Sequence, residues 1–269
     1  MAVVRLHARL ERHRAAILKL LKPRVVFTLT AAEGLTPWAS QLGSGGHPYL
    51  RVDHDWPRDR VTGRALVMVA QINFAEVPPL PGFPERGLLQ VFIADEWDHG
   101  PGGHRRGMME TALDDQTHFR VLFHAEPTMD LSELYARDDF DFFPDGSSIE
   151  RVAHGMSFAR VDQPMPDDDA RFDRLPAGAR ELILYDIPVR KLYLEHMRPH
   201  DQIGGYHYSQ QGWDPRRPYM EPDESELLLQ IDGCGPISWG DLGTACFFVR
   251  RADLAARRFD RVLYYWDCT

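Results

Sequence analysis

The stretches Met68-Val-Ala-Gln71-Ile-Asn73 and Leu227-Leu-Leu-Gln230-Ile-Asp232 carry the pattern from which the fold is predicted. Each is a short apolar run that ends in Gln-Ile followed by Asn or Asp. Apolar runs of this length, bounded by turn residues, are typical of buried strands. Gln230 follows Gln71 by 159 residues (230 − 71). We therefore predict two buried strands at equivalent places in two parts of the chain.

The residues around these runs are repeated in the same order. The first copy contains Gly45-Gly46, Trp56-Pro57, Gln71, Gly87 and Phe92, and the second contains Gly204-Gly205, Trp213 before Pro215, Gln230, Gly243 and Phe247-Phe248. The spacing from the first glycine to the glutamine is 26 residues in both copies (71 − 45 and 230 − 204). Neither unit is large enough to bury both faces of its own sheet. We expect two related lobes that share one core.

Other β-rich runs predict further strands. They are Val25–Leu29, Gly87–Ile93, Phe119–Phe123, Glu181–Val189, Ala245–Val249 and Arg261–Trp266. Apolar residues at helical spacing between Val3 and Leu21 predict an N-terminal amphipathic helix, which Pro23 ends. The chain shows no strand–helix alternation and no Gly-rich phosphate motif. We predict an α+β fold of mostly antiparallel sheets built from two internally duplicated lobes.

The expected organisation is a single compact domain over residues 1–269. It divides into the helix at 1–24, a first lobe at 25–125, an acidic insert or connector at 126–180 and a second lobe at 181–269. Between Glu126 and Asp173 the chain has 13 acidic and four basic residues. This composition favours an exposed, mobile insert.

Composition and charge exclude several classes of protein. The 31 basic and 40 acidic residues give a net charge of −9, which argues against nucleic-acid binding. No apolar run is long enough for a membrane span. The three cysteines form no CxxC pair, so a disulfide framework or a thiolate zinc site is not expected. The N-terminus lacks a secretory signal, and we expect a cytoplasmic protein, bacterial by its excess of arginine over lysine.

Several blocks of the sequence resemble the YwqG-like family (DUF1963), a bacterial domain of unknown function. The blocks are Gly45-Gly46-His47-Pro48, Trp56-Pro57, Ala70–Asn73, Gly87–Phe92 with Gln90, Ile203–Tyr206 with Gln210, Leu227–Asp232, Trp239–Gly243 and Trp266-Asp267-Cys268. The resemblance implies an α+β fold with internal duplication. It implies no established activity, cofactor or catalytic residue. Because some relatives lie beside secreted-toxin systems, it also suggests an immunity or adaptor role.

Two carboxylates form the best candidate for chemistry. Asp232 and Asp241 flank the Gly233–Pro236 connection and, with Gln230, could bind a hard cation or divide acid and base roles. The alternative is that Asp241 buttresses the turn and Asp232 lies exposed at a strand end. Trp239 is either a ligand platform or a packing residue. Because no GxSxG or HExxH motif occurs, we expect no metal and no cofactor and lean against an enzyme.

The run from Tyr206 to Tyr219 is predicted to be exposed and has the composition of a recognition loop. It contains Tyr208, Trp213 and Arg216, and interfaces are enriched in tyrosine, tryptophan and arginine. The alternative is a loop that packs back on the second lobe. The leading hypothesis is a cytoplasmic binding or adaptor protein for a protein partner, such as an immunity protein for a basic toxin. A metal-assisted hydrolase and a structural scaffold without a ligand are the other two hypotheses.

Overall fold

The computed structural model describes residues 4–94, 116–136, 152–196 and 201–269, apart from positions 213, 217, 218 and 234. Within these residues, ten strands form one sheet. The strands are β1 (Lys22–Thr30), β2 (Gln41–Leu42), β3 (Val67–Asn73), β4 (Leu88–Ile93), β5 (Phe119–His124), β6 (His154–Gln163), β7 (Gln202–Gly204), β8 (Ser225–Asp232), β9 (Thr244–Arg250) and β10 (Leu263–Asp267). Their order across the sheet is β10-β9-β8-β7-β1-β6-β2-β3-β4-β5.

Every neighbouring pair of these strands is antiparallel, which confirms the predicted sheet type. The two central strands, β1 and β6, pair over nine residues, from Lys22 opposite Gln163 to Thr30 opposite Gly155. The sheet curls, so that the ring of Phe119 on one edge strand lies 5.3 Å from the ring of Tyr264 on the other. One apolar core is therefore shared by strands from both ends of the sheet.

Helices cover a smaller part of the described chain. A 3₁₀ helix at Ala8–His13 leads into α1 (Arg14–Lys19), followed later by α2 (Ala177–Tyr185), α3 (Ile187–Leu194) and α4 (Arg251–Ala255). The predicted N-terminal helix is confirmed between Ala8 and Lys19, whereas the described residues before Ala8 are not helical and β1 already begins at Lys22. Leu10 of the 3₁₀ helix and Ile17 of α1 are buried and pack in one cluster with Ile183 and Val189. The N-terminal segment therefore closes over α2 and α3. No helix among the described residues is long and apolar enough to cross a membrane.

The predicted strand at Glu181–Val189 is wrong, because these residues lie in α2 and α3. A short apolar run does not by itself distinguish a strand from a buried helix. The signal that decides is Asp186, whose side chain accepts a hydrogen bond from the Val189 amide at 3.2 Å. Pro188 lies in the first turn of α3, where its missing N–H costs nothing. An Asp-x-Pro start of this kind favours a helix.

The expectation of an exposed, mobile insert between Glu126 and Asp173 is wrong for 154–163, which form the central strand β6. Along β6, buried and exposed residues mix. An antiparallel sheet can leave one face partly in water, so a central strand can carry Arg160 and Asp162. Of the 13 acidic residues counted in this segment, only Asp162 lies in β6, so the acidic composition of the segment gives no information about this strand. Residues 137–151, in the middle of the predicted insert, lie outside the described residues.

Candidate functional site

Gln71, at the end of the predicted first strand, makes four hydrogen bonds in a fully buried position. Its Oε1 accepts from the Tyr49 amide at 2.9 Å and from Gln90 Nε2 at 2.8 Å. Its Nε2 donates to the Pro37 carbonyl at 2.8 Å and to the Ala39 carbonyl at 2.9 Å. An amide has two donors and two acceptor lone pairs, so its bonding capacity is used in full. Gln71 therefore holds two loops against the sheet.

Gln230 has a corresponding place in the second part of the sheet. It is fully buried, and its Oε1 accepts from the Tyr208 amide at 2.8 Å. Gln202 lies opposite Gln230 in the sheet and donates to the Tyr206 carbonyl at 2.7 Å. In the same way, Gln41 lies opposite Gln71 and donates to the His47 carbonyl at 2.9 Å. These contacts support the structural interpretation of Gln230 rather than a catalytic one.

A buried network of charges joins two residues of the predicted recognition loop to two residues earlier in the chain. Arg171 donates to both carboxylate oxygens of Asp169 at 2.7 Å, and Arg216 donates to Asp214 at 2.8 and 2.6 Å. Arg216 also reaches Asp169 at 3.3 Å, which joins the two pairs. Burial opposes ionisation of Asp169, but the two guanidinium groups outweigh it and hold the pKa of that carboxyl far below its usual range. We call these four residues the Asp169–Arg216 network.

Sequence reasoning missed this network, although a signal for it exists. The pattern Asp-x-Arg occurs at 169–171 and again at 214–216. In both copies, the arginine amide and guanidinium bind the aspartate two residues earlier. Such a pair closes a local turn and presents a rigid, charged unit. Two units of this kind stabilise each other where their segments meet.

Asp169, His207 and Asp214 form the group of three potential metal ligands found among the described residues. Their ligand atoms lie within 4.8 Å of one another, and all three residues are buried. Both carboxylates already bind a guanidinium in two-pronged contacts. A cation would have to displace Arg171 and Arg216 from a buried position, and the arrangement therefore fits a structural ion network better than a metal centre.

The predicted exposed recognition loop is buried at two of its main residues. Tyr206 is 3% exposed and Arg216 is 2% exposed. The Tyr206 hydroxyl donates to the Leu20 carbonyl at 2.6 Å. Tyr208 and Tyr219 are partly buried, and Trp213 lies outside the described residues. The expectation of exposure is thus wrong for Tyr206 and Arg216, because polar groups of the loop are bonded inward.

Neither Asp232 nor Asp241 belongs to the group of three potential metal ligands found among the described residues. Asp241 is exposed, and its carbonyl accepts from the Thr269 amide at 3.1 Å. Asp232 is partly buried, and its amide donates to Asp201 Oδ1 at 2.8 Å. Trp239 is 5% exposed and lies in the main core, 6.3 Å from the Tyr264 ring. The packing role of Trp239 is the supported alternative.

Asp201, beside Asp232, makes the stability of the fold depend on pH. Burial, together with the charge of Asp232, raises the pKa of Asp201 to about 7. The unfolded carboxyl has a pKa of about 3.9. The contribution of Asp201 to stability is therefore complete below the unfolded pKa and is lost as pH rises through about 7.

We expect Asp201→Asn to become more stable relative to wild type as pH rises. The amide keeps an acceptor for the Asp232 amide but cannot ionise. Its advantage should grow by about 1–2 kcal/mol between pH 5 and pH 8 in urea unfolding. Asp241→Asn, an equal change in charge at an exposed position, is the control. An equal trend in both variants would contradict the assignment to Asp201.

The other motif residues of the first part also hold loops to the sheet. Trp56 Nε1 donates to the Leu66 carbonyl at 2.7 Å, and Gln90 Nε2 donates to the Tyr49 carbonyl at 2.7 Å. Gly45 donates to the Val152 carbonyl at 3.1 Å. A Cβ at Gly46 would lie 1.7 Å from Gln41 Oε1, so a side chain there would displace the Gln41 amide from its bond to the His47 amide. Pro48 lies between two residues whose backbone the glutamines bind.

The motif residues of the second part form a similar set of ties. Asp267 is 1% exposed and accepts from Ser209 Oγ at 2.7 Å and from the Gln211 amide at 3.1 Å. Gln210 donates to the Leu242 carbonyl. Gly204, the last residue of β7, and Gly205 after it both have positive φ. The Gly243 carbonyl accepts from the Gly233 amide at 2.9 Å, and Trp266 packs against the main core. These contacts give the motif a structural role.

Two neighbouring segments each carry exposed apolar side chains. Val52 is 52% exposed, Met129 is 69% exposed and Leu131 is 61% exposed. The Val52 amide donates to the Glu133 carbonyl at 2.9 Å, which joins the two segments. Three carboxylates against one guanidinium accompany these side chains, namely Asp53, Asp130 and Glu133 against Arg51. We call this surface, formed by residues 51–53 and 128–133, the acidic-rimmed patch.

These features define an α+β protein built on one antiparallel sheet, with buried glutamines and aspartate–arginine pairs tying loops to it. The family model described as "Domain of unknown function (DUF1963)" matches residues 40–268. That match covers most of the chain, and the protein belongs to this family, as its sequence motifs predicted. No curated protein matches the sequence.

Proposed function

We propose that the protein is a cytoplasmic binding or adaptor protein whose acidic-rimmed patch docks a basic protein partner. The observation that carries this proposal is the exposure of Val52, Met129 and Leu131 beside three carboxylates. Exposed apolar side chains grouped in this way, with a polar rim, are typical of interaction sites. An immunity protein that masks a basic toxin is one form of this function.

The frame of the patch supports the proposal because it is rigid. Trp38 Nε1 donates to the Thr128 carbonyl at 2.8 Å, and the Thr128 amide donates to the Tyr49 hydroxyl at 3.1 Å. Asp130 caps the 3₁₀ helix Leu131–Glu133 by accepting from the Ser132 amide at 2.9 Å. Residues next to Met129 and Leu131 are therefore anchored before a partner arrives. A preorganised surface loses little conformational entropy on binding.

Charge supports a basic partner in particular. The rim has more carboxylates than guanidinium groups, and the whole chain has a net charge of −9. Opposite charge accelerates association and suppresses unsuitable partners, and it does so less at high salt. A basic surface with an apolar centre is complementary to this patch in both respects.

The test begins with capture of partners from the bacterium that carries the gene, using the tagged full chain and mass spectrometry. The retained protein is then purified, and its Kd is measured at about 50 and about 300 mM salt. Leu131→Asp places a charge at the centre of the patch. Ile187→Asp is the matched control, because Ile187 is 79% exposed at the start of α3, where an acidic residue is well tolerated.

We expect a basic partner that Leu131→Asp binds at least about tenfold more weakly and Ile187→Asp binds as wild type does. We expect its Kd to rise with salt. An unaffected Kd in Leu131→Asp, an acidic partner, or no specific partner at all would each contradict the proposal. Unfolding curves of both variants establish that the fold is intact.

We also infer that the two parts of the sheet are copies of one unit. Counted inward from one edge, the strands are β5, β4, β3, β2 and β6; counted inward from the other edge, they are β10, β9, β8, β7 and β1. Strands at equal distances from the two edges are therefore five strands apart in the chain, so that β6–β10 correspond to β1–β5. The pairings of β3 with β4 and of β8 with β9 both contain a register shift, at Met68/Ala70 and at Leu227/Leu229, again 159 residues apart. The bond from the Tyr49 amide to Gln71 corresponds to the one from Tyr208 to Gln230. These matches support the predicted duplication.

A further inference from the structure

A pocket of about 200 Å³ lies where the two parts of the sheet meet. Lys22 at the start of β1, Gly205 after β7, Glu226 on β8 and the loop around Pro81 line it. The lining residues come from both parts of the chain, and none of them belongs to the acidic-rimmed patch.

One end of the pocket is charged, with more positive than negative groups. Lys22 Nζ donates to Glu226 Oε2 at 2.9 Å, and Arg251 Nε donates to Glu226 Oε1 at 2.6 Å. Both oxygens of the one carboxylate are therefore engaged, while the ammonium and the guanidinium have further N–H donors to offer. Two cations against one anion leave a surplus of one positive charge. This surplus favours an anionic occupant.

The surroundings of Lys22 strengthen this preference. Its side chain is 17% exposed, and its ammonium lies 5.2 Å from the centre of the Tyr206 ring. Burial lowers the pKa of Lys22, and the charges of Arg171 and Arg216 act in the same direction against that of Glu226. An incoming anion would relieve both the lost hydration and the repulsion between these cations.

The other end of the pocket is apolar and fixed in place. Leu80 and Phe83 are buried, and Arg257 donates to the carbonyls of Gly82 at 2.9 Å and Phe83 at 3.3 Å. Gly204 has a φ of +70°, and a Cβ there would lie only 3.2 Å from Leu80 Cδ1. The glycine therefore lets the apolar wall approach β7 closely. Such a wall suits the hydrocarbon part of a ligand.

We propose that this pocket binds a small organic carboxylate, with its carboxylate on Lys22 and Arg251 and its apolar body against Leu80 and Phe83. A cavity of about 150 Å³ accommodates benzene. The volume here therefore fits one aromatic ring, or a chain of about six carbons, together with an acid group. This site is independent of the proposed protein partner.

The experiment measures binding of benzoate and hexanoate to the full chain by titration calorimetry. Benzyl alcohol serves as the uncharged probe, and inorganic phosphate serves as the anion without an apolar body. Lys22→Met removes the charge and keeps the length of the side chain. Lys19→Met is the matched control, because Lys19 is exposed on the N-terminal helix. Glu226→Gln removes the carboxylate that competes with the ligand.

We expect a carboxylate probe to bind with a Kd of about 1 mM or below. Lys22→Met should weaken that binding at least about tenfold, and Lys19→Met should leave it unchanged. Glu226→Gln should strengthen carboxylate binding. If the substitutions only disrupted the structure of the pocket, Lys22→Met and Glu226→Gln would both weaken carboxylate binding. The proposal would be overturned if benzyl alcohol or phosphate bound as tightly as the carboxylates, or if neither carboxylate bound. It would also be overturned if Lys22→Met bound the carboxylates as tightly as wild type does.

Discussion

Replacing Arg216 by methionine should lower the free energy of unfolding by about 3–5 kcal/mol. The substitution leaves the buried carboxylate of Asp214 without its guanidinium and takes one contact from Asp169. Removing one member of a buried ion pair is costly because the remaining charge loses its partner without regaining water. The measurement is urea unfolding followed by circular dichroism.

Two comparisons separate this effect from a general loss of surface charge. Arg174→Met breaks the pair between Arg174 and Asp223, whose side chains are 48% and 54% exposed respectively, and should cost less than about 1 kcal/mol.

The deficit of Arg216→Met should also shrink at pH 4.5. In wild type, Arg216 lowers the pKa of Asp214, so the Asp214–Arg216 pair stabilises the fold at pH values above the pKa of the unfolded Asp214 carboxyl. In the variant, the unpaired Asp214 carboxyl protonates as pH falls, which removes the buried charge. A deficit equal to that of Arg174→Met would refute the structural role of the Asp169–Arg216 network.

Replacing Gln71 by leucine should cost about 4 kcal/mol or more. Leucine is close to glutamine in size, so the loss is one of hydrogen bonds rather than of volume. The Tyr49 amide and the carbonyls of Pro37 and Ala39 would each remain buried without this partner. An unsatisfied buried group costs about 1–3 kcal/mol. Urea unfolding again measures the difference.

A second variant keeps this prediction testable if Gln71→Leu does not fold. Gln71→Glu retains both acceptors but donates only when the carboxyl is protonated. Its deficit should therefore shrink as pH falls from 8 to 5. Gln211→Leu, at an exposed glutamine, should remain within about 1 kcal/mol of wild type at both pH values. A pH-independent deficit in Gln71→Glu would argue against donation to the loop carbonyls.

The strands that could be predicted from the sequence are those that carry their own signal. β3, β4, β8 and β9 are apolar runs between turn residues, and all four form where expected. β2 and β7 are two and three residues long and exist only because longer strands pair with them. β6 contains Arg160 and Asp162 and has no unbroken apolar run. Whether β2, β6 and β7 form depends on the strands that pair with them, and a local sequence pattern does not contain that information.

The candidate sites show the same limit. The composition of the loop from Tyr206 to Tyr219 resembles an interface, but the same residue types also make buried bonds. Arg216 is buried because Asp169, 47 residues earlier, comes to lie beside it. The acidic-rimmed patch and the Lys22 pocket combine segments that are distant in the chain. Composition indicates which chemistry is present, whereas the fold decides whether it faces water.

The central position of β1 has a consequence for how the chain is made. Both neighbours of β1, the strands β6 and β7, are synthesised more than 120 residues later; Val26, for example, pairs with Ala159 and Gln202. During translation, the first strand must therefore wait with both edges unpaired until most of the chain has left the ribosome. Such distant pairing slows folding and exposes strand edges meanwhile. Newly made protein of this family should accordingly depend on chaperones that shield open β-edges.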